Sequence, residues 1–139
     1  PNVRESDSYF AENMMPISTA GKLKLVTENQ MVCPELEIRI FNGHTVGQLV
    51  SYINLGTKTL VYVGDVIPLA ANVPLSWISS YDVFPLTAME EKKVLLDEAA
   101  DKEQILFFEH DAYTECCTVT ANYKKHKIEK TFGLEEIEL

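Results

Sequence analysis

The sequence predicts an α/β fold. Three observations carry this reading. In "LEIRIF" at 36–41, apolar and charged residues alternate with the two-residue period of a half-exposed strand. "TLVYV" at 59–63 and "QILFF" at 104–108 are nearly continuous apolar runs, the pattern of strands covered on both faces. Between those two runs, apolar residues recur at helical spacing over about 88–101. The length, 139 residues, suits one compact domain.

Taken in order, residues 4–14 read as a short helix ended by Pro16. "KLKLV" at 22–26 alternates and reads as a strand, and "NQMVCP" at 29–34 reads as a loop. "QLVSYINL" at 48–55 alternates less cleanly, and with "TLVYV" it forms a hairpin turning near Gly56. Residues 66–84, with Pro68, Pro74, Trp77 and Tyr81, make a long loop without periodicity, and such loops in compact domains are often functional.

The helix that follows has Thr87 and Glu90 at capping-box spacing, preceded by Pro85. Met89, Leu96 and Ala100 share one face, with Ala88, Leu95 and Ala99 beside it. Glu90, Glu91, Lys92, Lys93 and Asp97 are assigned to its wet side. "CTVTANYKK" at 116–125 alternates as a further strand, and "LEEIEL" closes the chain as a short acidic end. No repeat, low-complexity segment or domain boundary stands out.

Composition narrows the function. The chain is 46% hydrophobic and 24% charged, ordinary for a globular domain, with a formal charge of −9. That charge works against nucleic-acid partners, which need a basic stripe. The one basic cluster, "KKHK" at 124–127, reads as a solvated strand edge. No apolar run approaches the ~20 residues of a membrane span, so no membrane partner is expected. "PNVRESDSYF" lacks a signal peptide's basic and apolar regions and has no initiator Met, so a processed or trimmed piece of a longer chain is expected. Cys33, Cys116 and Cys117 are odd in number, and the adjacent pair suits neither a disulfide framework nor chelation. Inert thiols in a reducing cytoplasm are the expectation.

The chemistry gathers at strand ends. "EIRIFNGH" ends in His44, "TLVYVGD" in Asp65, and "ILFFEHD" in His110 followed by Asp111. Two imidazoles and a carboxylate form the mixed ligand set that zinc, iron or manganese accepts. Strand ends on one edge of a sheet are where α/β sites tend to lie. Each residue also has a plainer reading: a capping histidine, a turn Gly-Asp, a surface cluster of Glu109, His110 and Asp111. There is no HxH or HExxH pair. Two imidazoles and one carboxylate are at most three ligands, where a structural zinc wants four and a catalytic zinc three plus water. The chain is therefore expected to hold part of a site. His126, in the basic strand, is left out of it.

"GHTVGQ", "VYVGD" and "FFEHD", in this order, resemble the C-terminal half of metallo-β-lactamase-fold hydrolases. "SWISSYDVFPLTAMEEKKVLLDEAA" and "SYFAENMMPI" look like the connecting loop and helix and the leading helix of the branch related to lactonases and organophosphate hydrolases. The resemblance covers nearly all of residues 1–139, read as a single half-domain of the αβ/βα sandwich, and implies one mixed sheet with helices packed on one face. The HxHxDH motif that the family carries in its first half is absent.

The resemblance implies a site with two divalent metal ions, zinc first and iron or manganese as alternatives. His44 would be the third histidine of the first metal, Asp65 the catalytic carboxylate bridging both, and His110 the remaining histidine of the second. Gly43 and Gly47 would let the backbone bend tightly around His44. Thr45 and Asp111 would support the ligands from behind. Trp77 and Tyr81 would wall the substrate pocket, with a small aromatic core pinning the loop as the plainer alternative.

The implied activity is hydrolysis of an ester, lactone, thioester or phosphoester in a small molecule by a metal-activated water. With three of the family's usual seven protein ligands, the chain alone is expected to bind metal weakly and to be inactive. Its unmatched sheet surface is expected to self-associate or to pair with the missing N-terminal half. The competing readings are a metal-free or degenerate module that binds a partner, and an iron-dependent oxidoreductase relative.

Overall fold

The computed structural model describes residues 2–3, 5–122 and 125–138. Seven strands lie side by side in chain order: β1 (Gln30–Cys33), β2 (Leu36–Phe41), β3 (Gln48–Asn54), β4 (Thr59–Tyr62), β5 (Ile105–Phe107), β6 (Cys116–Asn122) and β7 (Lys125–Phe132). Each neighbouring pair is antiparallel except β4 and β5, which are parallel. Parallel strands need a long crossover. Here the crossover contains the 66–84 loop and helix α2 (Pro85–Asp101). The sheet is therefore mixed and the class α/β, as the sequence predicts.

Alternation fixes which side chains meet α2. Phe41, Val50, Tyr52, Val61, Val63, Leu106, Cys117 and Val119 form one buried face with Leu95, Leu96 and Ala99 of the helix. The opposite face holds a smaller cluster, Leu60, Ile105 and Cys116, edged by Ile53, Phe107, Phe132 and Ile137. Leu49, also on that face, is exposed.

Several expectations are corrected. Residues 22–26 form no strand: Leu23 and Leu25 are exposed and the backbone is irregular. The edge strand is instead β1, inside the predicted loop 29–34, where Gln30 and Met31 pair with Ile38 and Glu37. Residues 4–14 are not one helix. A 3-10 turn at Ser6–Ser8 precedes α1 (Ala11–Thr19), and Pro16 lies inside α1 rather than ending it. Proline there removes one backbone donor, yet the next turn closes, with the Ala20 N–H donating to Pro16 O at 3.0 Å. No residue of α1 is buried.

Helix α2 starts at Pro85, three residues before the expected point, with Phe84 as N-cap and no side-chain cap, so the Thr87–Glu90 capping box does not form. Proline suits a first helical position because its missing N–H would be unpaired there anyway. The predicted strand 116–125 divides into β6 and β7, with Tyr123 and Lys124 outside the described residues. The charged run "KHKIEKTF" is β7, the edge of the sheet, where lysines discourage further pairing. His126 points inward from it, with Nε2 2.6 Å from Asp97 Oδ1 on α2. Lys92, assigned to the wet side of α2, is buried.

Candidate metal and catalytic site

Strand direction brings the candidate residues together. Two antiparallel steps, β2 to β3 to β4, restore the original direction, and β5 runs parallel to β4. The C-terminal ends of β2, β4 and β5 therefore lie at one end of the sheet. His44 sits in the turn after β2, Asp65 in a 3-10 turn (Gly64–Val66) after β4, and His110 in the loop after β5.

Asp65 stands between the two histidines. Its Oδ2 is 3.6 Å from His44 Nε2, and its Oδ1 is 3.0 Å from His110 Nε2. One carboxylate oxygen faces each imidazole, so the three groups form two pairs that share Asp65 and do not converge on a single point. Accordingly, among the described residues no group of three or more His, Cys, Asp or Glu is placed to hold one metal ion. Two imidazoles and a carboxylate are a donor set that borderline divalent metals accept.

Sequence reasoning missed the partner of His44. Asp82 is 6% exposed, and its Oδ1 lies 2.9 Å from His44 Nδ1. A carboxylate only accepts, so this contact puts a proton on Nδ1 and turns Nε2 toward Asp65. The second oxygen of Asp82 accepts from the Ser79 N–H at 3.1 Å. A carboxylate behind a histidine in this way orients a metal-ligating imidazole and raises its basicity. Nothing local in "SSYDVF" marks Asp82, because its partner is 38 residues away.

The two glycines of "NGHTVG" act differently. Gly47 has φ +83°, a left-handed conformation that side chains disfavour, and open space where a Cβ would stand. Gly43 serves close approach, since a Cβ there would lie 2.2 Å from Ala88 Cα. Helix α2 therefore presses directly on the turn. Glu91 of α2 also accepts from the backbone N–H groups of Asn42 and Gly43, at 2.9 and 2.8 Å.

Asp111 ties two loops together. Its Oδ2 accepts from the Ala70 N–H at 2.9 Å, and its Oδ1 from those of Tyr113 and Thr114 at 3.0 Å each. These backbone donors, Tyr113 first, hold its carboxyl below the usual aspartate range. Thr45 and Tyr81 line a cleft of about 480 Å³ with His44, Asp65, Ser79, Glu5, Ser8 and Tyr9. Trp77 is not on its wall, and Trp77 and Tyr81 are 62% and 75% exposed, so no aromatic core forms. Val66, Ile67 and Val73, with Ala70 and Leu75, anchor the loop instead. A larger groove, about 630 Å³, lies between α2 and β6–β7 away from these residues. The strand-end cleft is the better candidate because His44 and Asp65 both stand on its wall.

No protein-family model and no curated relative matches the chain. Solved structures do. A probable metal-dependent hydrolase from Staphylococcus aureus superposes with a TM-score of 0.83 at 22% identity, over 99% of this chain and 48% of that one. AidC, a dizinc quorum-quenching lactonase in complex with a product, matches with a TM-score of 0.73 at 23% identity, over 95% and 46%. The hydrolase AbOPH of the beta lactamase superfamily matches with a TM-score of 0.67 at 16% identity, over 83% and 40%. The fold is that of the metallo-β-lactamase hydrolases, and the chain spans about half the length of these structures.

Proposed function

We propose that this chain is the C-terminal half of a metal-dependent hydrolase of the metallo-β-lactamase fold, acting on an ester, lactone, thioester or phosphoester. The observation that carries the reading is Asp65 between His44 and His110, one oxygen to each, with Asp82 fixing the tautomer of His44. His44 and Asp65 would serve one divalent metal, and Asp65 and His110 the other. Zinc is the first choice for this nitrogen and oxygen set. A divalent pair supplies Lewis acidity toward the carbonyl or phosphoryl oxygen and a more acidic water.

The chain's own residues have separate tasks. Asp65 carries negative charge between two cationic positions and offsets their repulsion. Asp82 holds Nδ1–H of His44 and so turns Nε2 toward Asp65. Asp111 holds the 108–114 segment against the loop after β4. Thr45, Ser79 and Tyr81 offer hydroxyl groups to a small polar substrate in the cleft. The remaining ligands would come from another half, packed on the sheet face that carries Leu49, Ile53 and Phe107. Alone, the chain is expected to be inactive and to pair with that half or with a second copy. A cytoplasmic setting fits its three free thiols.

The alternative is a metal-free module that binds a partner. The full reading frame discriminates. Hydrolysis of an ester, lactone, thioester and phosphoester panel, abolished by Asp65→Ala with the fold intact, is the expected outcome. Turnover and metal content unchanged in both Asp65→Ala and His44→Ala would leave the partner-binding module.

A further inference from the structure

Among the described residues Lys92 is the largest fully buried side chain, 1% exposed, and it sits in the middle of α2. Its ammonium donates three hydrogen bonds, all to main-chain carbonyls of the loop after β4: Asn72 O at 2.9 Å, Pro74 O at 3.1 Å and Trp77 O at 2.9 Å. An ammonium has three donors and no acceptor, so the set is complete. Two residues beyond Trp77, the same loop reaches Ser79, whose N–H holds Asp82 Oδ2. Asp82 in turn holds His44 Nδ1. Next to Lys92, Glu91 takes the N–H groups of Asn42 and Gly43 from the turn that bears His44. One helical step thus presents an anion to the histidine's turn and a cation to its partner's loop.

We infer that Lys92 is a positioning residue for His44, acting through the 72–82 loop and Asp82. Burying an ammonium in a helix that could carry leucine there costs solvation, and a lysine kept for packing alone would have no use for its charge. The geometry gives the charge a use: three carbonyls, of Asn72 at the end of a 3-10 turn and of Pro74 and Trp77 beyond it, are drawn to one point. That point fixes the approach of Asp82 to the imidazole. Removing it frees the loop to drift while the core beneath α2 persists, because Leu95, Leu96 and Ala99 make that core.

The inference builds on the proposed metal site, but its first test needs no metal. Long-range proton–nitrogen NMR reports which His44 nitrogen carries the proton. Wild type is expected to hold Nδ1–H, and Lys92→Met to populate both tautomers. Lys92→Arg, which keeps a cation and multiple donors, is expected to restore the wild-type pattern. Leu95→Ala, equally buried on α2, is the control: it destabilises through the core and is expected to leave His44 unchanged. If Lys92→Met does not fold, Lys92→Gln takes its place. Zinc titration of the same variants is expected to show about a tenfold loss for Lys92→Met, the scale of a lost support behind a ligand. An unchanged His44 tautomer in both Lys92→Met and Lys92→Gln overturns the inference, as does an equal disturbance by Leu95→Ala. Absent zinc binding in wild type with the tautomer effect present would remove the metal reading and leave the positioning role standing.

Discussion

Replacing Gly43 by alanine places a Cβ 2.2 Å from Ala88 Cα, 2.3 Å from Ala88 N and 2.7 Å from Ala88 Cβ. Non-bonded carbons rest about 3.5–4.0 Å apart, so the turn and the first turns of α2 must separate by more than 1 Å. Two of the three obstacles are helix backbone, which cannot swing aside as a side chain can. Overpacking typically costs about 1–3 kcal/mol, and this contact belongs at the upper end, about 3 kcal/mol. At about 4 °C per kcal/mol for a domain of this size, thermal unfolding should fall by about 12 °C.

The separation also pulls the Asn42 and Gly43 N–H groups from Glu91, so zinc binding should weaken together with stability. Gly47→Ala is the contrast. It meets nothing within 4 Å and pays only for its positive φ, about 1–2 kcal/mol. Differential scanning fluorimetry of both variants is the assay. A Gly43→Ala melting point within about 3 °C of wild type would refute the reasoning. So would full rescue by Ala88→Gly, because that change removes only the longest of the three contacts.

Two further outcomes are expected. Burial pushes the Lys92 ammonium down from 10.5 to about 8, opposed by the charge of Asp82. Between those values the unfolded chain binds more protons at this site than the folded one, so its contribution to stability rises with pH through that window. The stability of wild type relative to Lys92→Met, from urea unfolding at a series of pH values, should increase above pH 8, and a flat or falling difference would contradict this. Burial likewise raises the Cys116 and Cys117 thiols to about 11 and 12, so a disulfide-exchange reagent at neutral pH should find only the exposed Cys33 in the native protein and all three thiols in denaturant. Rapid native labelling of the adjacent pair would show that β6 opens.

What the sequence could reveal was local. β2 is legible because "LEIRIF" alternates, and β4 and β5 because both faces are apolar. His44, Asp65 and His110 are legible because each directly follows such a run. "KLKLV" alternates equally well but finds no neighbouring strand, while "QMVC" becomes β1 through register with β2, which its own residues do not announce. Lys92 is misassigned because charge usually marks a wet face, and its three acceptors lie 15–20 residues upstream in a loop. Asp82 is invisible for the same reason. The candidate site positions follow from strand ends, whereas the residues that aim them depend on the packing of a long loop against a helix.

The central claim is that His44, Asp65 and His110 form the chain's share of a metal site, and zinc titration of the metal-free chain against a chromophoric chelator tests it most directly. Saturable but weak binding is expected, lost in Asp65→Ala, which serves both pairs, and reduced in His44→Ala and His110→Ala. Absence of zinc binding, or binding that Asp65→Ala leaves unchanged, would contradict the account.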